Sequence, residues 1–151
     1  MIDKVIPGSF RDPAGFMYIH DGTLMRRIHE SYKENYRQLM DSGLYEELIS
    51  RKYLVEHKES QTNLPSGIYK DIVPTKVPFI SYPYEWSFTQ LKVAALLTLD
   101  IQILAMKYDM SLKDASAYNI QFINGKPILI DTLSFEKIHE GMPWIAYQQF
   151  C

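Results

Sequence analysis

Cysteine is almost absent: of 151 residues the only one is Cys151, the last. That excludes a disulfide framework and a thiolate metal site, and it suits a reducing, cytoplasmic setting. The seven glycines contain no Gly-x-Gly pair, which rules out a glycine-rich phosphate loop, a Walker A motif and a dinucleotide fingerprint. Charge of one sign is not in excess: sixteen Lys and Arg against eighteen Asp and Glu give a formal net charge of −2. No overall field therefore favours nucleic acid or an anionic membrane surface, and neither is expected as a partner. Long hydrophobic runs are missing as well. The most apolar stretch, Val93 to Leu99, ends at Asp100, far short of the roughly 20 residues a membrane helix needs. The opening MIDKVIPGSF has no basic region followed by an apolar core, so no signal peptide is expected. His20, His29, His57 and His139 are scattered without a zinc-ligand spacing. Ser116 and Ser134 lack a Gly-x-Ser-x-Gly setting.

What is present is an ordinary globular composition, 46% hydrophobic and 23% charged, in a chain long enough for one domain with its own core. Asp21-Gly22 between Phe16–His20 and Thr23–Ile28 predicts a hairpin, because a two-residue turn of that kind needs positive φ. Tyr32, Tyr36, Leu39 and Met40 share one helical face over Glu30–Met40, Gly43 supplies a stop, and a second short helix is expected over Leu44–Ser50. Tyr53–His57, Ile68–Val73 and Val77–Tyr82 have strand composition, and ESQTNLPSG (59–67) reads as a loop. Ser87 and Gln90 form a capping box for a long helix to about Tyr108, with an apolar face that includes Leu91, Ala94, Leu97, Ile101, Leu104 and Ala105. Asn124-Gly125 between Ile120–Ile123 and Lys126–Ile130 predicts a second hairpin, with Pro127 at the start of its strand or at a non-pairing position. Trp144, Ile145, Tyr147 and Phe150 predict a helical segment running into the last residue, the pattern of a fragment. The order predicts an α+β fold, divided into an N-terminal segment 1–86 and a C-terminal segment 87–151.

The second hairpin carries polar residues that its turn does not require. Asp114 stands five positions before Asn119, and Asp131 comes directly after the second strand. Two carboxylates and an amide at one end of a hairpin are hard oxygen donors of the kind Mg²⁺ takes, and Mg²⁺ suits a nucleotide phosphate. A bland alternative stands beside this: Asp114 caps a turn, Asn119 caps the strand, and Asp131 N-caps the next element of the chain.

The segment resembles the catalytic loop of protein kinases and aminoglycoside-type phosphotransferases. That resemblance implies a kinase-like fold, Asp114 as the catalytic base, Asn119 and Asp131 as Mg²⁺ ligands, and ATP as cofactor. Upstream, Pro78–Tyr82 with Tyr84, Glu85 and Trp86 resembles the strand and hinge that hold adenine. The pattern departs from the family where Leu112-Lys113 precede Asp114 and Thr132-Leu133 come after Asp131. A lysine in a Val-Ala-Ile-Lys context is also missing, and Arg26 or Arg27 is the candidate substitute.

A second resemblance covers more of the chain. SFRDPAGFMY, YPYEWSFTQLKVAALLTL, DASAYNIQFINGKPILIDTLSFE and PWIAYQQFC are similar to the N-terminal region of S-adenosylmethionine-dependent methyltransferase family proteins, some nodulation-related. It implies an accessory or recognition domain whose S-adenosylmethionine site lies in a downstream methyltransferase domain, its partner in the same chain. Two alternatives stay open. One is a Mg²⁺-dependent small-molecule phosphotransferase. The other is a partner-binding module using the aromatic run Tyr82, Tyr84, Trp86 and Phe88, which could also stack on a base or sugar.

Overall fold

Two turns with positive φ at both central residues organise the β structure: Asp21 and Gly22 (48° and 77°), and Asn124 and Gly125 (51° and 75°). Both match the residue choice that a tight hairpin demands. The computed structural model describes residues 4–6, 9, 12–60 and 64–150. Part of the expected loop (61–63) and Cys151 lie outside the described residues. The chain forms two compact units, Met1–Tyr36 with Glu56–Lys76, and Arg37–Val55 with Val77–Cys151.

The first unit holds a five-stranded antiparallel sheet: β1 (Lys4–Val5), β2 (Gly15–His20), β3 (Thr23–His29), β4 (His57–Glu59) and β5 (Ile68–Pro74), in the order β1-β2-β3-β5-β4. Met25, Ile28 and Ile72 are buried in it. Gly15 is fixed by close approach, since a Cβ there would stand 1.9 Å from the Arg27 carbonyl oxygen. One polar group on the sheet is fully buried: Asp71 accepts from Arg27 Nε and Nη2, both at 3.0 Å, and from the Tyr18 hydroxyl at 2.8 Å. Burial, and then the neighbouring Asp71 carboxylate, push the Tyr18 phenol up to about 12. The Tyr36 hydroxyl lies 2.9 Å from His57 Nε2 and donates to Glu59 Oε1 at 3.0 Å. Burial pushes the His57 imidazole down to about 4.

A 3-10 turn, Glu30–Tyr32, leads into α1 (Lys33–Asp41). Gly43, at φ 88°, then separates α1 from α2 (Leu44–Ser50). The expected strand Tyr53–His57 is corrected: only His57 belongs to a strand, and Leu54 makes a single parallel bridge to Leu129. The apolar side chains of 53–55 serve the core of the second unit, and their backbone is tied to Leu129 by Leu129 N–H to Tyr53 O (2.8 Å) and Val55 N–H to Leu129 O (2.9 Å), while Tyr53 N–H turns back to Leu48 O (2.9 Å). The expected strand Val77–Tyr82 is also absent. Pro78 has no N–H for a ladder, and both backbone groups of Ser81 are bonded to the Gln121 side chain, at 2.9 and 3.0 Å.

The second unit is built on α3 (Phe88–Met106), with β6 (Met110–Leu112) paired to β9 (Phe135–Lys137), and β7 (Ile120–Ile123) paired to β8 (Lys126–Leu129). The capping box is made: Ser87 Oγ accepts from Gln90 N–H at 3.3 Å and Gln90 Oε1 from Ser87 N–H at 3.0 Å. Leu97, Ile101, Leu104, Met110, Leu112 and Phe135 anchor the core. Pro127 takes the second position of β8 in a two-stranded ribbon, opposite Phe122. Over an 18-residue window α3 has a mean hydropathy of 1.4, so by length and composition it is apolar enough to cross a membrane. Asp100 interrupts the uncharged run and not the helix, whose inner face lies in the core. The C-terminal segment forms a short 3-10 helix, Ile145–Gln149, in place of the expected amphipathic helix. Side chains at its two ends are drawn into other bonds: the Trp144 indole donates to Leu112 O at 2.8 Å, and Gln149 Oε1 accepts from Ala115 N–H at 2.7 Å.

Candidate functional site

The β6 strand delivers the chain to Asp114. Ser134 O accepts from the N–H groups of Lys113 (2.9 Å) and Asp114 (3.4 Å), so this loop is held against the segment just past Asp131. Asp114 Oδ1 accepts from Ser116 N–H at 3.0 Å, a local turn made by its own side chain. Ser116 Oγ in turn accepts from Tyr118 N–H, starting the 3-10 turn Ala117–Asn119 that opens into β7. Asp131, past the end of β8, N-caps the turn Thr132–Ser134: its Oδ1 accepts from Leu133 N–H and its Oδ2 from the buried Ser134 hydroxyl, both at 3.2 Å.

Asn119 behaves differently. Its backbone is fully used, with N–H donating to Ser116 O (3.0 Å) and the carbonyl accepting from Ile130 N–H (2.8 Å). Its side chain is not. Nδ2 is buried and has no hydrogen-bond partner among the described residues. The capping alternative thus describes what Asp114 and Asp131 do locally, and it does not describe Asn119.

Register brings the three residues to one end of the hairpin. Ile120 pairs with Leu129, and the next rung joins Asn119 to Ile130. Strand spacing of about 5 Å and a further step of about 3.8 Å place the Asn119 and Asp131 Cα atoms within about 10 Å of each other. Ser134 links Asp114 to the same end. Among the described residues no cluster of three or more His, Cys, Asp or Glu is present. A metal here would be held by two carboxylates and an amide, the donor set of an ion that keeps several waters, as Mg²⁺ does. Asn119 would offer such an ion its Oδ1, while its buried Nδ2, a donor, calls for an acceptor oxygen beside it.

The expected hinge residues have separate local roles. Glu85 ends the 3-10 turn Pro83–Glu85, and its Oε2 accepts from Tyr82 N–H at 2.8 Å. Trp86 is buried edge-on to Phe122 at 5.1 Å, with its indole N–H donating to Ser81 Oγ at 2.9 Å. Tyr84 is 75% exposed and stacks on Tyr82, with ring centroids 5.5 Å apart. Partial desolvation, and after it the charge of Glu85, raises its phenol above the usual range, and Tyr118 adds to the effect.

On β3, both candidate cations are bound to carboxylates of their own unit. Arg26 Nη2 lies 2.5 Å from Asp12 Oδ2, and Arg27 is held by Asp71. Sequence reasoning missed both partners. The signal for one was present in Asp71 itself, a carboxylate inside the apolar strand pattern of Ile68–Pro74, since a charge in such a place needs a counter-charge.

No family model matches the chain. The chain is similar to nodulation protein NoeA of Rhizobium meliloti (strain 1021): 32% identity over 157 aligned positions, covering 97% of this chain and 31% of NoeA. It spans about a third of the length of that relative. Among solved structures it is similar to vaccinia related kinase 3, with a TM-score of 0.53 and 12% identity, covering 89% of this chain and 47% of the kinase. At that identity the likeness speaks for the fold alone. The chain is an α+β protein of protein-kinase-like fold, distantly homologous to NoeA.

Proposed function

We propose that this chain is a kinase-like nucleotide-recognition region at the N-terminal side of a longer methyltransferase-type polypeptide. In this reading Asn119 and Asp131 hold Mg²⁺, Asp114 completes the polar end of the hairpin, and S-adenosylmethionine belongs to a downstream domain. The observation that carries it is the rung from Ile130 N–H to Asn119 O beside the buried Asn119 Nδ2, a donor with no partner among the described residues that a phosphate oxygen could take while Oδ1 faces the metal. Mg²⁺, when bound, would neutralise charge on the nucleotide phosphates. Recognition is favoured over transfer because a phosphotransferase also places a protein cation on the phosphates, and the β3 arginines are engaged by Asp12 and Asp71.

A second reading, a small-molecule phosphotransferase, is favoured by Asp114. Its Oδ1 is used by Ser116, which leaves Oδ2 to accept the proton of a substrate hydroxyl. Incubation with Mg²⁺·ATP and a panel of small hydroxylated acceptors separates the two. Recognition predicts nucleotide binding without turnover, unchanged in kind by Asp114→Asn. Transfer to any acceptor that is abolished by Asp114→Asn would replace the first reading with the second.

A further inference from the structure

The last pair of the β6–β9 ribbon is Leu112 with Phe135, so beyond Leu112 the backbone that carries Asp114 has no strand to hold it. Its N–H groups are bonded all the same. Leu112 N–H donates to Gln102 Oε1 at 2.8 Å, those of Lys113 and Asp114 to Ser134 O, and that of Ser116 to Asp114 Oδ1 at 3.0 Å. Ala115 N–H donates to Gln149 Oε1 at 2.7 Å, across 34 residues of sequence.

This last bond sits at a sensitive place. Ala115 is 2% exposed, so its N–H needs an acceptor from the protein. The peptide linking Asp114 to Ala115 also lies inside the turn that Asp114 Oδ1 closes onto Ser116 N–H. Rotating that peptide carries Ser116 N–H away from Oδ1 and frees the carboxylate to swing. The acceptor that fixes it comes from a docked element: Ala146 is buried, and Trp144 and Phe150 pack against the core. The Trp144 indole also donates to Leu112 O at 2.8 Å. Trp144 and Gln149 thus grip the loop on either side of Asp114. They differ in kind, because Trp144 packs on the core, whereas Gln149 is exposed and outside it.

We infer that Gln149 is a positioning residue for Asp114, its Oε1 holding the Ala115 peptide so that the carboxylate keeps its direction at the end of the β7–β8 hairpin. Docking of the segment 144–150 thereby sets the state of the loop. What Asp114 does there rests on the nucleotide reading proposed above, while the positioning is a property of the loop and is read without nucleotide.

Native-state amide hydrogen exchange of the 151-residue chain, followed at single residues by NMR, tests this. Gln149→Met keeps the length of the side chain without its oxygen, Gln149→Glu keeps an acceptor, and Asp114→Ala sets the rate of Ser116 N–H with its own acceptor gone. In Gln149→Met, exchange at Ser116 is expected to rise about tenfold or more, toward the Asp114→Ala rate, while Ile130 N–H changes less than about threefold. Gln149→Glu is expected to keep Ser116 near the wild-type rate. Unchanged protection of Ser116 in Gln149→Met overturns the inference. So does equal loss in the Met and Glu variants, or a loss that reaches Ile130 to the same extent, which is general loosening. Titration of Mg²⁺·ADP into the same samples keeps the two claims apart. The exchange contrast without nucleotide binding supports the positioning and counts against the nucleotide reading, and binding without the contrast overturns the positioning alone.

Discussion

The backbone N–H of Ile130 donates to the carbonyl of Asn119 at 2.8 Å, one rung beyond the last assigned pair of the β7–β8 hairpin. This bond decides where Asp131 lies, because the residue after Ile130 must leave the ribbon beside the 3-10 turn that presents Asn119. A hairpin slipped by one residue would turn Asp131 to the other side. The Asn124-Gly125 turn, with both residues at positive φ, sets that register. A turn and a rung, rather than a dense cluster of ligands, therefore assemble the candidate site.

Gln121 fixes the aromatic segment to the same hairpin. Its buried side chain bonds both backbone groups of Ser81. Gln121→Ala leaves those groups with no replacement, and a loss of about 1–3 kcal/mol is expected in urea denaturation. Gln121→Glu keeps the acceptor for Ser81 N–H but loses the donor to Ser81 O. It is expected to be destabilised as well, and more strongly as the carboxylate ionises.

Gly15 tests the packing of the five-stranded sheet. An alanine Cβ would overlap the Arg27 carbonyl at 1.9 Å, and that carbonyl belongs to a strand paired on both sides. Gly15→Ala is expected to cost about 3 kcal/mol. Gly22→Ala, with open space around its Cβ, is expected to cost about 1 kcal/mol, from its positive φ alone. Equal losses at the two sites would contradict the steric account.

His57 gives a pH dependence with a definite sign. Its imidazole falls from 6.5 to about 4 on burial, so between those values the unfolded chain binds more protons than the folded one. Its contribution is fully present above about pH 6.5 and is lost as pH falls toward about 4, up to about 3 kcal/mol in all. His57→Gln removes this titration, and unfolding free energy measured from about pH 7 to about pH 4 should fall less steeply in the variant.

Much of this structure was legible because it is local. Asp21-Gly22 and Asn124-Gly125 dictated their turns, and Ser87 with Gln90 marked the start of α3. What failed to read depended on distant partners. Val77–Tyr82 has the composition of a strand, but no strand pairs with it among the described residues, and a glutamine forty residues away takes the backbone of Ser81. Tyr53–Val55 carries strand composition for the same apolar reason and supplies core side chains with a single bridge. Trp86, expected in a ligand-holding hinge, is buried on Phe122. The site motif was legible as spacing: Asp114, Asn119 and Asp131 could be named from their setting around a hairpin. That two of them would cap turns, and that the buried Nδ2 of Asn119 would find no partner among the described residues, required the fold.

The central claim is a Mg²⁺–nucleotide site at the open end of the β7–β8 hairpin. Isothermal titration of ADP and ATP into the folded chain, with and without Mg²⁺, tests it most directly when repeated on Asn119→Ala and Asp131→Asn. The account predicts binding that requires Mg²⁺ and weakens at least about tenfold in each variant while both remain folded. Binding of equal strength without Mg²⁺, or in either variant, would contradict it, as would the absence of any binding by the folded wild-type chain.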